Sequence, residues 1–381
     1  MKALKIILVI ITSLVLLVAI FAYRNLNYDY TNENFMKKTG EKLGFTEKQA
    51  VLDDGSVLNY GEGPSNGPPL LLLHGQQATW QDYAKVLPEL SKEFHIFAVD
   101  YYGHGKSGKD IAKYKANIIG RDLMWFMEHV IKKPSYVSGH SSGALLAAWL
   151  AANNSENVIG VVLEDGPFFS TEPGRAENTF AYKGFVNIHN FLNQNEIDNF
   201  THYSLLYDPM IEIINKDGGD TWEKVIKGPA LKYMEKHPGE IPRLWFYPPE
   251  LGVNAIFELT RNVQDGTGSY DLYFGESFYD FSWFEGFNQE ETLKNIKAPS
   301  LVMQVNPSKE TAPDYYDENG MLLSAMDRED AKRVCNLIKN SKYITGFDSM
   351  HDIHSDCPEQ FTDAVLNFKE EVETGTFVSD K

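Results

Sequence analysis

Short apolar runs alternate with helical stretches along two parts of the chain. Short apolar runs predict strands at 70–73, 94–99, 136–138 and 158–163, and the pattern resumes later with predicted strands at 300–305 and 342–347. The stretches between and after them predict helices near 80–92, 115–132, 142–153, 328–340 and 358–372. A strand that is apolar at every position is buried on both faces, and strands that alternate with helices form a parallel sheet. The pattern therefore predicts an α/β fold.

A hairpin precedes this alternating pattern. Apolar runs at 50–52 and 57–60 flank Asp53-Asp54-Gly55, a turn sequence that joins antiparallel strands. The residues ahead of the hairpin, 25–45, are polar and charged, and we expect them to form a juxtamembrane spacer.

Residues 167–296 interrupt the alternation of strands and helices. They read as helical and irregular, with turn-forming pairs such as Gly218-Gly219 and Pro248-Pro249. They hold 24 of the chain's 49 aromatic residues, whereas flexible linkers are poor in aromatics. We therefore predict a folded segment whose aromatic side chains form a core and an apolar wall over a binding cleft.

The N-terminus has the pattern of a membrane segment. Two lysines precede an uncharged apolar run at 6–22, and Tyr23-Arg24 close it. The run is close to the lower limit of about 17 residues that can span a bilayer. A cleavage site after Ala22 would need a small residue where Ile20 stands, and no Cys follows the run for a lipoprotein anchor.

These features favour an uncleaved signal-anchor at 1–24, with a secreted protein released by signal cleavage as the alternative. Because positive residues flanking such a helix stay in the cytoplasm, the rest of the chain is expected outside the cytoplasm, at the cell membrane.

The net charge of the chain limits the classes of partner that it can bind. It carries 53 acidic and 35 basic residues, a net charge of −18. Nucleic acid needs clustered Lys and Arg, so nucleic-acid binding is excluded as a function class, and the acidic residues are interpreted as a solvated surface.

Two cysteines are present, Cys335 and Cys357. Two residues cannot form a disulfide framework or a Cys-rich metal site. We expect two buried thiols, and a single bridge in an oxidising compartment stays open.

The strongest motif is Gly139-His140-Ser141-Ser142-Gly143, between a predicted strand and a predicted helix. Gly-x-Ser-x-Gly at a strand–helix junction is a nucleophile elbow, in which a tight turn forces a strained backbone on the serine. The helix N-terminus behind it favours developing negative charge. The spacing points to Ser141 as a nucleophile, since the neighbouring serines do not fit this frame.

An oxyanion site is predicted next to this serine. Acyl transfer needs two preorganised N–H donors for the tetrahedral intermediate. The backbone N–H of Ser142 is one candidate. His74-Gly75-Gln76 follows the strand at 70–73, and the N–H of Gln76 is the other candidate.

A general base is expected after the last predicted strand. The stretch that follows it contains His351 and His354. His351 is the preferred base and His354 its rival, whereas His140 belongs to the elbow itself.

The acid that orients the base can come from either of two strand ends. Positions 306–308 carry no carboxylate, so Glu310 is the first one after the strand at 300–305. The preceding strand ends in Glu164-Asp165. Asp165 is preferred, and Glu310 and Glu164 remain alternatives, because the acid only has to orient the His and stabilise its cation.

Taken together, these residues resemble the α/β-hydrolase superfamily over roughly 46–373. The resemblance rests on the elbow and on three further stretches, Leu72-Leu73-His74-Gly75, Asp100-Tyr101-Tyr102-Gly103-His104-Gly105-Lys106-Ser107 and Ser349-Met350-His351. It implies an eight-stranded, mostly parallel sheet flanked by helices, with a large, mainly helical cap inserted after the sixth strand. The Asp-x-x-Gly-His-Gly-x-Ser stretch is a structural loop in that family.

The resemblance also divides the chain. The core would comprise 46–166 and 297–373, the cap 167–296 and a tail 374–381. The implied activity is hydrolysis of a carboxylic ester, or a related acyl bond, of an apolar small-to-medium substrate, without metal or cofactor. A hydrolase-fold binding protein without turnover, or cleavage of amide, thioester or C–C bonds, stays open.

Two positions depart from the common pattern of the superfamily, the acid position and the His motif, which is Ser349-Met350-His351 where Gly-x-Gly-His or similar is common. The usual acid position after the seventh strand is empty, whereas dehalogenase-like members place the acid after the sixth strand, where Asp165 lies. A serine nucleophile counts against dehalogenase and epoxide hydrolase chemistry, because those branches carry Asp at the position of Ser141.

Overall fold

The computed structural model describes residues 2–216, 218–261, 268–306 and 315–380. Within these residues, eight strands form one sheet. They are β1 (Thr46–Val51), β2 (Val57–Glu62), β3 (Pro69–Leu73), β4 (His95–Asp100), β5 (Ser135–His140), β6 (Val158–Glu164), β7 (Ser300–Val305) and β8 (Ser341–Phe347).

The α-helices lie between the strands and at both ends of the chain. In the described part of the chain they are α1 (Lys2–Leu26), α2 (Leu87–Glu93), α3 (Ala116–Phe126), α4 (Ser142–Asn153), α5 (Phe180–Leu192), α6 (Phe200–Tyr207), α7 (Met210–Ile214), α8 (Gly228–Lys236), α9 (Val253–Arg261), α10 (Leu272–Tyr279), α11 (Gln289–Asn295), α12 (Arg328–Leu337), α13 (Ile353–Asp356) and α14 (Pro358–Thr374). Short 3₁₀ or π turns add to them, including Trp80–Lys85, Trp222–Lys227 and Pro249–Leu251.

The strand order is β1-β2-β4-β3-β5-β6-β7-β8. The first two pairings, β1 with β2 and β2 with β4, are antiparallel, and the other five are parallel. The prediction of an eight-stranded, mostly parallel sheet is thereby confirmed. Because β5, β6 and β7 are parallel neighbours, their carboxyl ends meet at one edge, where ligands bind in open α/β sheets.

The sheet has a hydrophobic core on each face. Leu71 and Leu73 belong to one core, whereas Leu70 and Leu72 belong to the other. Successive residues of a strand point to opposite faces, so an all-leucine strand fills both cores. Each buried leucine contributes about 1.5–3 kcal/mol relative to an exposed one. Helix α4 is buried along its length from position 142 to 151, which explains why it is apolar all round.

The helices between β6 and β7 have a core of their own. Its buried members are Leu205, Trp222, Ile226, Ala230, Leu244, Val253 and Phe257. Helices α5 and α10 pack against each other and join their aromatic side chains to the main core. The aromatic-rich segment is therefore folded around its own apolar side chains.

The N-terminal helix extends away from these cores. Its stretch Leu4–Leu26 is 23 residues long and has a mean hydropathy of 3.0, and the most apolar 18 residues of it are not buried against the rest of the chain. The segment expected as a spacer does contact the core, since Phe35 and Phe45 are buried there together with Trp80. The sequence did not indicate this contact, because the segment is mostly polar and only these two side chains anchor it.

The two cysteines are not joined by a disulfide. Both were expected to be buried, but Cys335 and Cys357 are only half-buried. Each lies at the margin of a core rather than inside it.

Candidate active site

Ser141 occupies the turn between β5 and α4. Its φ of 53° and ψ of −123° lie outside the regions that L-residues favour. The turn is held by the N–H of Ser141 on the Glu164 carbonyl at 3.0 Å and by the N–H of Ala144 on the Ser141 carbonyl at 2.9 Å. Strain of this kind persists only where the surroundings impose it, and it is typical of functional sites.

The two glycines of the motif make this turn possible. A Cβ at Gly139 would lie 2.1 Å from the Gly143 carbonyl oxygen. A Cβ at Gly143 would lie 2.2 Å from the Leu73 carbonyl oxygen. Neither position has room for a side chain, so the turn can approach β3 this closely only with glycine at both.

His351 and Asp165 form a hydrogen-bonded pair at the same edge of the sheet. His351 Nδ1 lies 2.7 Å from Asp165 Oδ2. Asp165 follows β6 directly, has a φ of 40° and is fully buried. Its other oxygen accepts the N–H of Val305 at 3.3 Å. With Nδ1 engaged, the Nε2 atom of His351 is the ring nitrogen left for proton transfer.

Electrostatics within this pair favour a charged imidazolium. Burial disfavours that charge, but the hydrogen bond and the negative charge of Asp165 outweigh it and raise the pKa of His351 to about 9. Burial raises the pKa of Asp165, while the hydrogen bond from His351 acts in the opposite direction. Burial also lowers the pKa of the neighbouring His140, and the charge of His351 adds to this, so His140 is held neutral.

The rival residues Glu164 and His354 form a second pair. His354 Nδ1 and the His354 backbone N–H each lie 2.8 Å from Glu164 Oε1. Both side chains are fully buried. His354 Nε2 is 3.3 Å from Asp82 Oδ2. Glu164 and His354 are therefore engaged with each other, and they hold the start of α13 against the end of β6.

We predict that Glu164→Gln destabilises the protein. The change removes the charge that balances a buried His354, and breaking a buried ion pair costs about 3–5 kcal/mol. Urea unfolding of the full chain in detergent should show a midpoint well below that of the wild type. Glu329→Gln, at an exposed ion pair, is the matched control and should leave the midpoint unchanged. An unchanged midpoint for Glu164→Gln would show that this pair does not stabilise the loop.

The predicted oxyanion donors flank Ser141. Ser142 is the first residue of α4, so its N–H has no acceptor within the helix. Gln76 lies in the loop after β3 and lines the same cavity as Ser141. The Gln76 side chain accepts a hydrogen bond from Tyr270 of the inserted segment at 2.7 Å. This contact ties the loop to the segment above it.

His74 and Gly75 support the loop from below. His74 is fully buried, its Nδ1 lies 2.7 Å from the Gly75 carbonyl oxygen and its ring stacks on Tyr101. A Cβ at Gly75 would lie 2.9 Å from His140 Nδ1, so only glycine fits.

Tyr101 and Tyr270 are contributions to the site that sequence reasoning did not identify. The Tyr101 hydroxyl lies 2.8 Å from the Ser142 Oγ and so fixes the residue after the nucleophile. Tyr101 follows β4 within the Asp-x-x-Gly-His-Gly-x-Ser stretch, which is the signal that pointed to this region. Tyr270 comes from a distant part of the chain, and its role has no local signal.

Glu310, the other alternative acid, lies outside the described residues. Asp352 also borders the site, and its Oδ1 is 3.5 Å from His140 Nε2. Asp82, His140 and Asp352 bring one potential metal ligand each to within 4.8 Å of one another. Because Asp82 is already ion-paired with His354, this group is not a vacant set of ligands.

A cavity of about 1470 Å³ connects these residues. Ser141, His351, Gln76 and Ser142 lie along it. The inserted segment supplies a largely aromatic wall formed by Phe180, Tyr182, Phe185, Phe200, Phe278, Phe281 and Phe284. The arrangement places a serine hydroxyl on a strained turn, a hydrogen-bonded His–Asp pair and candidate N–H donors next to a large, mainly apolar cavity.

Sequence comparisons agree with this architecture. A family model described as the alpha/beta hydrolase fold matches residues 68–199. A soluble epoxide hydrolase from Corynebacterium sp. is 30% identical over 120 residues, which cover 32% of this chain and 41% of that protein. A human serine hydrolase-like protein is 27% identical over 140 residues, which cover 36% of this chain and 69% of that protein. The match thus spans less than half of the epoxide hydrolase.

Solved structures match over most of the chain at low identity. A membrane phospholipase A described as a bacterial virulence factor has a TM-score of 0.56 and 18% identity, covering 98% of this chain and 99% of that one. A hydrolase from Pseudomonas aeruginosa PA01 has a TM-score of 0.55 and 17% identity, covering 85% of this chain and 98% of that one. From the order and direction of its strands, and from these matches, the chain has the α/β-hydrolase fold.

Proposed function

We propose that this protein is a membrane-anchored serine hydrolase that cleaves a carboxylic ester of an apolar small-to-medium substrate. The observation that carries the proposal is the 2.7 Å hydrogen bond between His351 Nδ1 and Asp165 Oδ2, at the sheet edge where Ser141 occupies a strained turn. A nucleophile, a base and an orienting acid on neighbouring strand ends are the parts that acyl transfer needs.

In the proposed mechanism, Ser141 Oγ attacks the ester carbonyl carbon while His351 Nε2 takes the hydroxyl proton. Asp165 keeps the ring oriented and stabilises the imidazolium. The N–H groups of Gln76 and Ser142 donate to the oxyanion. His351 then protonates the leaving alcohol, and an acyl-enzyme forms. Water, deprotonated by the same histidine, releases the carboxylic acid and restores Ser141.

The cavity supports an apolar acyl or alcohol group. Its aromatic wall offers apolar surface to a hydrocarbon portion, and Ser141 and His351 line the same cavity. The relatives named above include a serine hydrolase-like protein and a membrane phospholipase A. We extend two parts of these descriptions to this chain, hydrolysis by a serine from the first and a membrane location from the second.

The N-terminal helix supports anchorage. At 1.5 Å per residue, its 23-residue apolar stretch is about 35 Å long, enough to cross a hydrocarbon core of about 30 Å. With its lysines in the cytoplasm, the catalytic part lies outside the cytoplasm. Cleavage of the helix would instead release a secreted enzyme.

The nucleophile is tested by labelling with a fluorophosphonate, which reacts covalently with an activated serine. The full chain in detergent should be labelled, and Ser141→Ala should not, since it lacks the attacking hydroxyl. Ser138→Ala is the matched control, because it removes a buried hydroxyl outside the Gly-x-Ser-x-Gly frame and should still be labelled. If the folded wild type stays unlabelled, the chain is a binding protein without turnover and the proposal fails.

A further inference from the structure

The end of α1 is fastened to a loop of the inserted segment. The Asn25 side-chain amide donates to the Trp245 carbonyl at 2.8 Å, and Asn25 is fully buried. The guanidinium of the preceding residue, Arg24, is paired with Glu250. The residues on either side of Glu250, Pro249–Leu251, form a short 3₁₀ turn. Helix and loop therefore meet through two specific contacts.

The loop is held rigidly from beneath. The Asn254 side chain accepts the N–H of Leu244 at 2.9 Å and donates to the Leu244 and Tyr247 carbonyls at 3.1 and 3.3 Å. The Tyr247 hydroxyl donates to the Val225 carbonyl at 2.7 Å. Leu244 and Tyr247 thus point inward and pack in the core of the inserted segment.

The residues between them point outward. Trp245 is 45% exposed and Phe246 42% exposed, and their rings touch edge to face. Leu251 is 61% exposed, and Leu26, at the end of α1, is also exposed. We call these four residues the interfacial patch. Exposure of a Trp-Phe pair to water is unfavourable, because both rings carry large apolar surfaces. The pair is stabilised when an apolar medium covers it.

The position of α1 identifies what covers the patch. If Leu4–Leu26 crosses the bilayer, its last turn lies at the membrane surface, and the loop bound to Asn25 lies at the same depth. Aromatic residues, Trp above all, are favoured at this depth, where their rings reach acyl chains and their polar edges reach headgroups. At this same depth, Arg24 is paired with Glu250.

The cavity lining reaches the protein surface close to this loop. Helix α9 begins two residues after Leu251, and its Ile256 and Leu259 line the cavity. Leu259 is 51% exposed, so it stands at the rim. Tyr30 and Asn34, a few residues after α1, line the cavity as well. The rim and the interfacial patch are therefore built from the same two stretches of chain.

We infer that the interfacial patch is a second membrane contact, which inserts Trp245 and Phe246 into the headgroup region of a phospholipid bilayer and holds the cavity opening at the lipid surface. The inference rests on the proposed function and its membrane anchor. It narrows the substrate class to ester-bearing amphiphiles that enter from the bilayer rather than from solution.

The depth of the interfacial patch in the membrane is measured on the full chain in phosphatidylcholine vesicles. Phe246→Cys, in a background with Cys335→Ser and Cys357→Ser, carries an environment-sensitive NBD label. Vesicles with 5-doxyl phosphatidylcholine should quench this label. The same label at Ile111→Cys, an exposed apolar position in the core domain, should not be quenched. Absent quenching at 246, equal quenching at both positions, or a chain that does not float with the vesicles would overturn the inference.

Hydrolysis rates on a vesicle-bound ester and on a soluble ester distinguish a failure of this inference from a failure of the proposed function. Trp245→Ala with Phe246→Ala keeps the Trp245 carbonyl that binds Asn25. In proteoliposomes it should hydrolyse a vesicle-bound long-chain ester several-fold more slowly than the wild type, with equal rates on a soluble short-chain p-nitrophenyl ester. Tyr273→Ala, at an exposed cap aromatic, should match the wild type on both. Equal loss on both esters, or none on either, would contradict the membrane contact, and wild-type inactivity on the soluble ester would contradict the proposed function.

Discussion

An Asp165→Asn variant is expected to lose roughly 10³–10⁴-fold in kcat with little change in KM. The asparagine amide cannot hold His351 in the tautomer that leaves Nε2 free to accept a proton, and it carries no charge to stabilise the imidazolium. Asparagine has nearly the same size and shape as aspartate, so it fits the fully buried position of Asp165 and the fold should survive. Hydrolysis of a short p-nitrophenyl ester by purified full-length protein, with circular dichroism for folding, gives the measurement.

Glu310→Gln is the control for this experiment, since Glu310 is the alternative carboxylate after β7. It should retain wild-type kcat. The reverse pattern, an active Asp165→Asn variant beside an inactive Glu310→Gln variant, would assign the acid to the end of β7 and remove Asp165 from the proposed triad.

The strands of the sheet could be predicted because a strand that is buried on both faces is an unbroken run of apolar residues. Every residue of β3 must be apolar when Leu71 and Leu73 face one core and Leu70 and Leu72 face the other. The nucleophile elbow also depends on residues close in sequence. Glycine is required at 139 and 143 because a side chain there would clash within the turn or with the adjacent strand. Short-range geometry of this kind can be deduced from spacing alone.

The pairing of acids and bases could not be deduced in this way. Two adjacent carboxylates, Glu164 and Asp165, face two histidines three residues apart, His351 and His354. Sequence order allows either match. The fold selects one because Glu164 still belongs to β6 whereas Asp165, with a φ of 40°, has left the strand. The two side chains consequently reach different parts of the loop after β8.

Contacts from the inserted segment were even less accessible to sequence reasoning. The hydrogen bond from Tyr270 to Gln76 joins residues 194 positions apart, and no periodicity records it. The same is true of the bond from Asn25 to Trp245, across 220 positions. Composition indicated a folded aromatic segment, but its placement over the site depends on tertiary packing.

Activity is expected to rise steeply with pH. The proposed base acts as a neutral imidazole, and Asp165 raises the pKa of His351 to about 9 against the effect of burial. At pH 7 about 1% of His351 would be neutral, so kcat/KM should increase about tenfold per pH unit and gain roughly fifty-fold between pH 7 and pH 9. The neighbouring His140 does not account for such a profile, because burial and the charge of His351 lower its pKa.

This profile is measured on the soluble ester, with Ser141→Ala at each pH as the background for hydrolysis by hydroxide. The residual activity of Asp165→Asn supplies the matched comparison. Its midpoint should shift to lower pH, because the variant removes the charge that raises the pKa of His351 while burial continues to lower it. A wild-type profile that is already level at pH 7, or a midpoint that stays in place in Asp165→Asn, would mean that the His351–Asp165 pair does not set the protonation of the base.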